Sequence, residues 1–180
     1  MKYLITLFFI VFTLAGCGGG GGGGGAPASN DPAPSPTPTP PTIDALTITG
    51  TSAYTDPDPA PINANVSSGK FTTTWQTGAD TGGRMRSFLS VDDTFTEATD
   101  IEFYSTLCGD IFDCNAMGDG AQDCFFTTTN HIRCGSDPTG IDITAFLTGL
   151  PMQAYIIFEA CKDSWLPAEC ATQSVLVELR

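Results

Sequence analysis

The chain has 180 residues, 7 of them basic and 20 acidic, for a formal net charge of −13, with 20 glycines, 13 prolines, 7 cysteines and one histidine. That length suits one principal domain. An acidic excess of this size excludes nucleic acid as a partner, because phosphate binding draws on clustered Lys and Arg that this chain lacks.

Residues 1–16 carry one positive charge at Lys2, then an apolar run from Tyr3 to Leu14 interrupted by Thr6 and Thr13, then the small pair Ala15 and Gly16. This three-part layout predicts a cleaved export signal, too short to span a bilayer as a mature helix. Leu14-Ala15-Gly16-Cys17 resembles the lipobox of bacterial lipoproteins. The resemblance implies a diacylglyceryl group on the Cys17 thiol, cleavage before it, and acylation of the new amine. It further implies the lipid bilayer as a partner. Several acyl chains anchor stably where one alone is marginal. Gly18 in place of an Asp after the modified cysteine implies the outer membrane, facing either the periplasm or the surface.

Residues 17–42 read as a flexible linker in two parts. Gly18–Gly25 is an uninterrupted glycine run that behaves as a swivel, and Pro27, Pro32, Pro34, Pro36, Pro38, Pro40 and Pro41 bias residues 26–41 towards an extended polyproline II course. Together they would hold the rest of the chain roughly 60 Å from its anchor. Of the charged residues, 6 of the 7 basic and 19 of the 20 acidic fall in residues 43–180, so this head alone carries −13.

Within residues 43–180, short runs rich in Thr, Val, Ile and aromatics are separated by Gly, Pro, Asp and Ser. They predict strands at Ala45–Gly50, Ile62–Val66, Phe71–Gln76, Met85–Val91, Ile101–Ser105, Cys124–Thr128, His131–Cys134, Gln153–Cys161 and Thr172–Leu179. Only Asp142–Leu147 suggests a helical turn or two. Strands at this spacing predict an all-β, antiparallel sandwich. Phe71-Thr-Thr-Thr-Trp75 with the Gly/Asp-rich stretch after it resembles the second strand of fibronectin type III domains, with its core tryptophan. Thr148-Gly-Leu-Pro-Met-Gln-Ala-Tyr155-Ile-Ile-Phe-Glu-Ala160 resembles their leucine, proline and tyrosine turn leading into an alternating strand. Ser87–Glu102, with Asp92, Asp93 and Asp100, resembles the strand, acidic turn and strand of bacterial adhesion-related CARDB modules. These resemblances imply a single immunoglobulin-like sandwich of the kind used for binding or adhesion.

With Cys17 lipidated, six cysteines remain: Cys108, Cys114, Cys124, Cys134, Cys161 and Cys170. An even count in an exported chain predicts three disulfides, with 15 connectivities open on counting alone. Nearest-neighbour pairing is the economical arrangement: Cys108 with Cys114, Cys124 with Cys134 across a hairpin at Thr129-Asn130, and Cys161 with Cys170 around Trp165 and Pro167. Each bridge would contribute about 2–3 kcal/mol.

No enzymatic constellation emerges. Zinc fingers use paired C-x2-C spacings that are missing here. The one histidine, His131, follows no G-x-S-x-G turn, and no glycine cluster of the head has the spacing of a phosphate loop. The sequence therefore predicts a non-catalytic protein that requires no cofactor. Asp110, Asp113, Asn115, Asp119 and Asp123, with Gly109, Gly118 and Gly120 for tight turns, make one acidic loop a candidate Ca²⁺ site, since calcium takes six to eight hard oxygen ligands. Asp92 and Asp93 form a second. The functional expectation is a membrane-anchored lipoprotein presenting its sandwich to a protein or glycan ligand. The alternatives are an accessory lipoprotein that docks onto an envelope assembly through a sheet edge or through Trp165, Leu166 and Phe146, and a calcium-dependent binding module.

Overall fold

Threonine-rich alternation becomes strand structure where one face can be buried. In Lys70–Thr77, the side chains of Phe71, Thr73, Trp75 and Thr77 are buried while Lys70, Thr74 and Gln76 are exposed, the period of two that a half-buried strand requires. The computed structural model describes residues 41–51, 58–78, 84–107, 119–162 and 169–180, all within the unit Thr37–Arg180. The strands are β1 (Ile43–Thr49), β2 (Ala60–Ile62), β3 (Lys70–Thr77), β4 (Arg84–Ser90), β5 (Ile101–Leu107), β6 (Asp119–Phe126), β7 (His131–Cys134), β8 (Ile141–Asp142), β9 (Met152–Cys161) and β10 (Cys170–Leu179).

They form two five-stranded sheets, in the orders β1-β3-β6-β7-β8 and β2-β10-β9-β4-β5. The steps from β3 to β4, β5 to β6 and β8 to β9 each pass from one sheet to the other. This is the Greek-key route of immunoglobulin-like sandwiches, and the all-β sandwich expected from the sequence is what the chain adopts. One pairing departs from a purely antiparallel arrangement: β2 runs parallel to β10, with Ala60 opposite Val177 and Ile62 opposite Leu179. Pro61 lacks an N–H, which confines its strand to a sheet edge.

The predicted strand Ile62–Val66 is displaced for the same local reasons. Past Ile62 the chain turns, with Asn63 Oδ1 accepting the Asn65 amide at 2.9 Å and Val66 N donating to Asn63 O at 3.1 Å. The larger difference lies at β6, which begins at Asp119 rather than Cys124. Asp119 and Gly120 read as turn residues in isolation. Opposite β3 they pair with Gln76 and Trp75, and the Trp75 ring lies over Gly120 so closely that a Cβ there would sit 2.5 Å from the ring. A cross-strand aromatic thus compensates for the weak strand preference of glycine. The short β8 has no counterpart among the predicted strands, because two exposed residues leave no periodic signal.

Between the sheets lie two clusters of buried side chains. One gathers Ile48, Ile62, Phe71, Leu89, Phe126, Ile132, Ile143, Ile156, Val177 and Leu179 with their neighbours; the other gathers Leu46, Trp75, Met85, Phe158 and Ala160. Asp142–Leu147 turns as expected, with Phe146 N and Leu147 N both donating to Ile143 O at 2.9 and 3.2 Å, and it delivers Phe146 onto the first cluster. Thr73 is 1 % exposed and its hydroxyl has no hydrogen-bond partner among the described residues. An unsatisfied buried hydroxyl is unfavourable, so Thr73→Val should stabilise the domain by about 1 kcal/mol, seen as a Tm several degrees higher by calorimetry. An unchanged or lower Tm would show that the hydroxyl is hydrogen-bonded in solution.

Candidate functional site

A strand sandwich offers two ends, and β1 assigns them different roles. Ile43 pairs with Thr77, so the preceding chain joins at the end where β3 and β5 finish, β4 and β6 begin, and Cys161 faces Cys170. The opposite end carries the turns 63–69, 91–100, 127–130 and 143–151, together with Arg180.

These turns are held by their own polar groups. Asp92 Oδ1 accepts the Thr94 amide at 2.9 Å and Asp100 Oδ2 accepts the Thr96 amide at 2.7 Å. The 3₁₀ turn Ser67–Gly69 places three successive residues at positive φ, where Gly69 lies directly beneath the Phe126 carbonyl and admits no side chain. Asn130, at φ 62, makes the β6–β7 hairpin turn that the sequence predicted, and asparagine tolerates that conformation. Val66, Val91 and Leu150, at 42 %, 67 % and 44 % exposure, present apolar side chains at this end. Fixed loops with exposed aliphatic groups and carboxylates offer the chemistry of a binding surface.

The outer face of the second sheet has different chemistry. Arg86 lies opposite Glu159, and the two form a bidentate pair with Nε to Oε1 at 2.7 Å and Nη2 to Oε2 at 2.9 Å. They are 7 % and 3 % exposed. Arg84 reaches the same carboxylate at 3.4 Å, and Arg86 Nη1 also lies 3.4 Å from Glu102 and 3.7 Å from Glu97. The Arg86 guanidinium stands 4.8 Å from the Phe88 ring centre and 5.8 Å from that of Phe95, whose rings are 4.6 Å apart. The turn 91–100 thereby folds Phe95 over the sheet. The sequence signal for this cluster was a charge inside an apolar run at one position only, Tyr155-Ile-Ile-Phe-Glu159-Ala160; β4, Arg84-Met-Arg-Ser-Phe-Leu-Ser90, is mixed and carries no such signal.

Two of the expected disulfides are formed. Cys124–Cys134 joins directly paired residues of β6 and β7, and Cys161–Cys170 joins directly paired residues of β9 and β10. Cys17, Cys108 and Cys114 lie outside the described residues, as do Asp110, Asp113 and Asn115 of the candidate calcium loop, and Trp165 and Leu166. Asp119 opens β6. Asp123 also stands on β6, where its carboxylate takes an ion pair from Lys70 at 2.8 Å and a hydrogen bond from the Thr72 hydroxyl at 2.7 Å. The hydrogen bonds from Lys70 and Thr72 hold its carboxyl below the usual range, so this pairing supports the fold above that range and is lost as the pH falls through the lowered value. Asp119 and Asp123 are therefore strand residues, not members of a loop. Phe146 is partly buried against the core instead of standing free for docking.

His131 sits at the hairpin, with Nδ1 2.8 Å from Thr129 O. Glu159, Cys161 and Cys170 bring three potential metal-ligand atoms within 4.8 Å of one another, but the disulfide uses both sulfurs. No family model matches the chain, and neither a curated protein nor a solved structure matches it.

Proposed function

We propose that the chain is an extracytoplasmic lipoprotein, anchored to the cell envelope through acylated Cys17, that presents its sandwich as a non-catalytic binding module for a protein or glycan ligand. The observation that carries this reading is the polarity of the sandwich. The chain from the lipobox and the Gly/Pro-rich segment joins at one end, and the well-held turns with Val66, Val91 and Leu150 occupy the other. Attachment at the joining end leaves those turns outside the covalent connection. The strong negative charge of the head favours its standing off an anionic lipid surface, which repels it.

Two experiments test the reading. Cys17→Ser should move the protein from the membrane fraction to the soluble fraction, because acyl chains at about 0.8 kcal/mol per buried methylene supply the attachment. Continued sedimentation with membranes would count against the anchor. Pull-down from intact envelopes with the wild-type chain, compared with a Val91→Asp, Leu150→Asp double variant, should lose its captured partner in the variant.

A second reading has one observation in its favour. β5 is the outermost strand of its sheet, seven residues long with Glu102 as its one charge, and among the described residues no strand covers it. An edge of that kind can accept an added strand from an envelope assembly.

A further inference from the structure

In the acidic head, Lys70 is paired with Asp123, Arg84 and Arg86 with Glu159, and Arg180 with Glu178. Arg133 has no such partner: among the described residues no carboxylate lies within ion-pair distance of it, and its guanidinium makes no hydrogen bond. It stands on β7, where Ile132 and Cys134 face the core, so His131 and Arg133 both point outward from the first sheet, about 7 Å apart along the strand. The guanidinium lies 4.7 Å from the centre of the Phe125 ring, directly opposite on β6, and Phe125 in turn lies opposite Lys70 on β3. On the other flank Gly140 has no side chain, and a Cβ there would stand 2.9 Å from that of Arg133. The adjoining strands β6 and β8 and their turns all fall within the described stretch 119–162.

A guanidinium carries only donors, arranged as a planar fork that fits the two oxygens of a carboxylate. Of the Arg133 donors only Nε is enclosed, and the two Nη groups reach the surface. Stacking on Phe125 holds the plane of the fork, so little side-chain freedom is left to lose when a ligand binds. His131 supplies the opposite polarity. Its Nδ1 lies 2.8 Å from Thr129 O, and since a carbonyl can only accept, Nδ1 carries the hydrogen and Nε2 of the neutral ring is an acceptor. A fork of donors with an acceptor one strand period away complements a carboxylate that has a hydroxyl close by. Asp142, opposite His131, and Asp123, two residues before Phe125, repel anions on either side of Arg133. The charge of −13 further disfavours a ligand with many negative groups.

We propose that Arg133 and His131, on the outer face of the first sheet, bind a sugar acid: a single uronic-acid residue within an otherwise neutral glycan. The two Arg133 Nη groups donate to the uronate oxygens, and His131 Nε2 accepts from a neighbouring sugar hydroxyl. The inference rests on the reading of the chain as a binding module and names a ligand class for it, on a face separate from the apolar turns. The Val91→Asp, Leu150→Asp variant leaves this face untouched, so the pull-down and the sugar assay below fail independently.

The test titrates the full chain at neutral pH and low salt with methyl glucuronide, with methyl glucoside as the neutral control and N-acetylglycine as a peptide-type carboxylate, read by NMR at the Arg133 side-chain N–H and the His131 ring. The expected result is saturable millimolar binding of the glucuronide that shifts both signals, about tenfold tighter than either control. Arg133→Gln should weaken glucuronide binding about tenfold, and Arg133→Lys nearly as much, because an ammonium keeps the charge but presents no fork. Absence of saturation by about 50 mM, equal binding of the glucoside, or glucuronide affinity unchanged in Arg133→Gln overturns the proposal. N-acetylglycine binding at Arg133 as tightly as the glucuronide overturns the sugar assignment in favour of a peptide carboxylate. The comparison of the three probes on the wild-type chain needs no variant, so it decides the matter even where a substitution impairs folding.

Discussion

Glu159→Ala is expected to destabilise the domain by about 3–5 kcal/mol, because it strands the Arg86 guanidinium in a setting where that residue is 7 % exposed. The loss does not measure what the ion pair adds to stability. Bringing two charges out of water is itself unfavourable, and their attraction at 2.7 and 2.9 Å does little more than offset it. The informative partner experiment is therefore the double variant Arg86→Met, Glu159→Leu, which removes both charges and keeps the volume. It should recover most of the loss and come within about 1–2 kcal/mol of wild type. Urea unfolding with the disulfides intact reads both variants. A single variant that loses less than about 1 kcal/mol would mean that Glu102 and Glu97, at 3.4 and 3.7 Å, suffice to hold Arg86.

Phe158→Ala is expected to lower stability by about 3–5 kcal/mol, through lost burial and the cavity left behind. Phe158 is 0 % exposed and stacks on Trp75 with ring centres 4.9 Å apart and planes inclined by 25°. The Trp75 ring in turn covers Gly120, so the cavity would open beneath the residue that stabilises the start of β6. Unfolding followed by calorimetry gives the magnitude. Amide exchange should in addition rise selectively at Gly120 and Ala121, and protection unchanged there would show that β6 holds without the stacked pair.

Much of this domain was legible because strands with one buried face announce themselves. β1, β3, β4, β5, β7, β9 and β10 fall within a few residues of their predicted positions, since each alternates or bears a β-branched, aromatic run between turn residues. Asn130 at the hairpin and the two cross-strand disulfides followed from short-range chemistry of the same kind. Asp119–Asp123 misled for an equally physical reason: its acids and glycine have turn preferences, and only β3 alongside, with Trp75 over Gly120 and Lys70 beside Asp123, makes them a strand. Arg86 and Glu159 are 73 residues apart, and no local pattern couples them.

The sequence by itself determined the composition-scale features of this protein: a glycine run and a proline-rich segment ahead of residue 43, a β-rich head, seven cysteines of which six lie in that head, and a net charge of −13 carried by the head. These depend on composition and neighbouring residues, which one chain read in order contains. The tertiary structure alone decided which strands adjoin, and hence that β2 runs parallel to β10, that the acidic stretch 119–123 is sheet, that the chain joins at one end while the exposed apolar turns lie at the other, and that a charged cluster is buried on an outer face. Those outcomes arise from burial and pairing between segments distant along the chain, where packing overrides local preference.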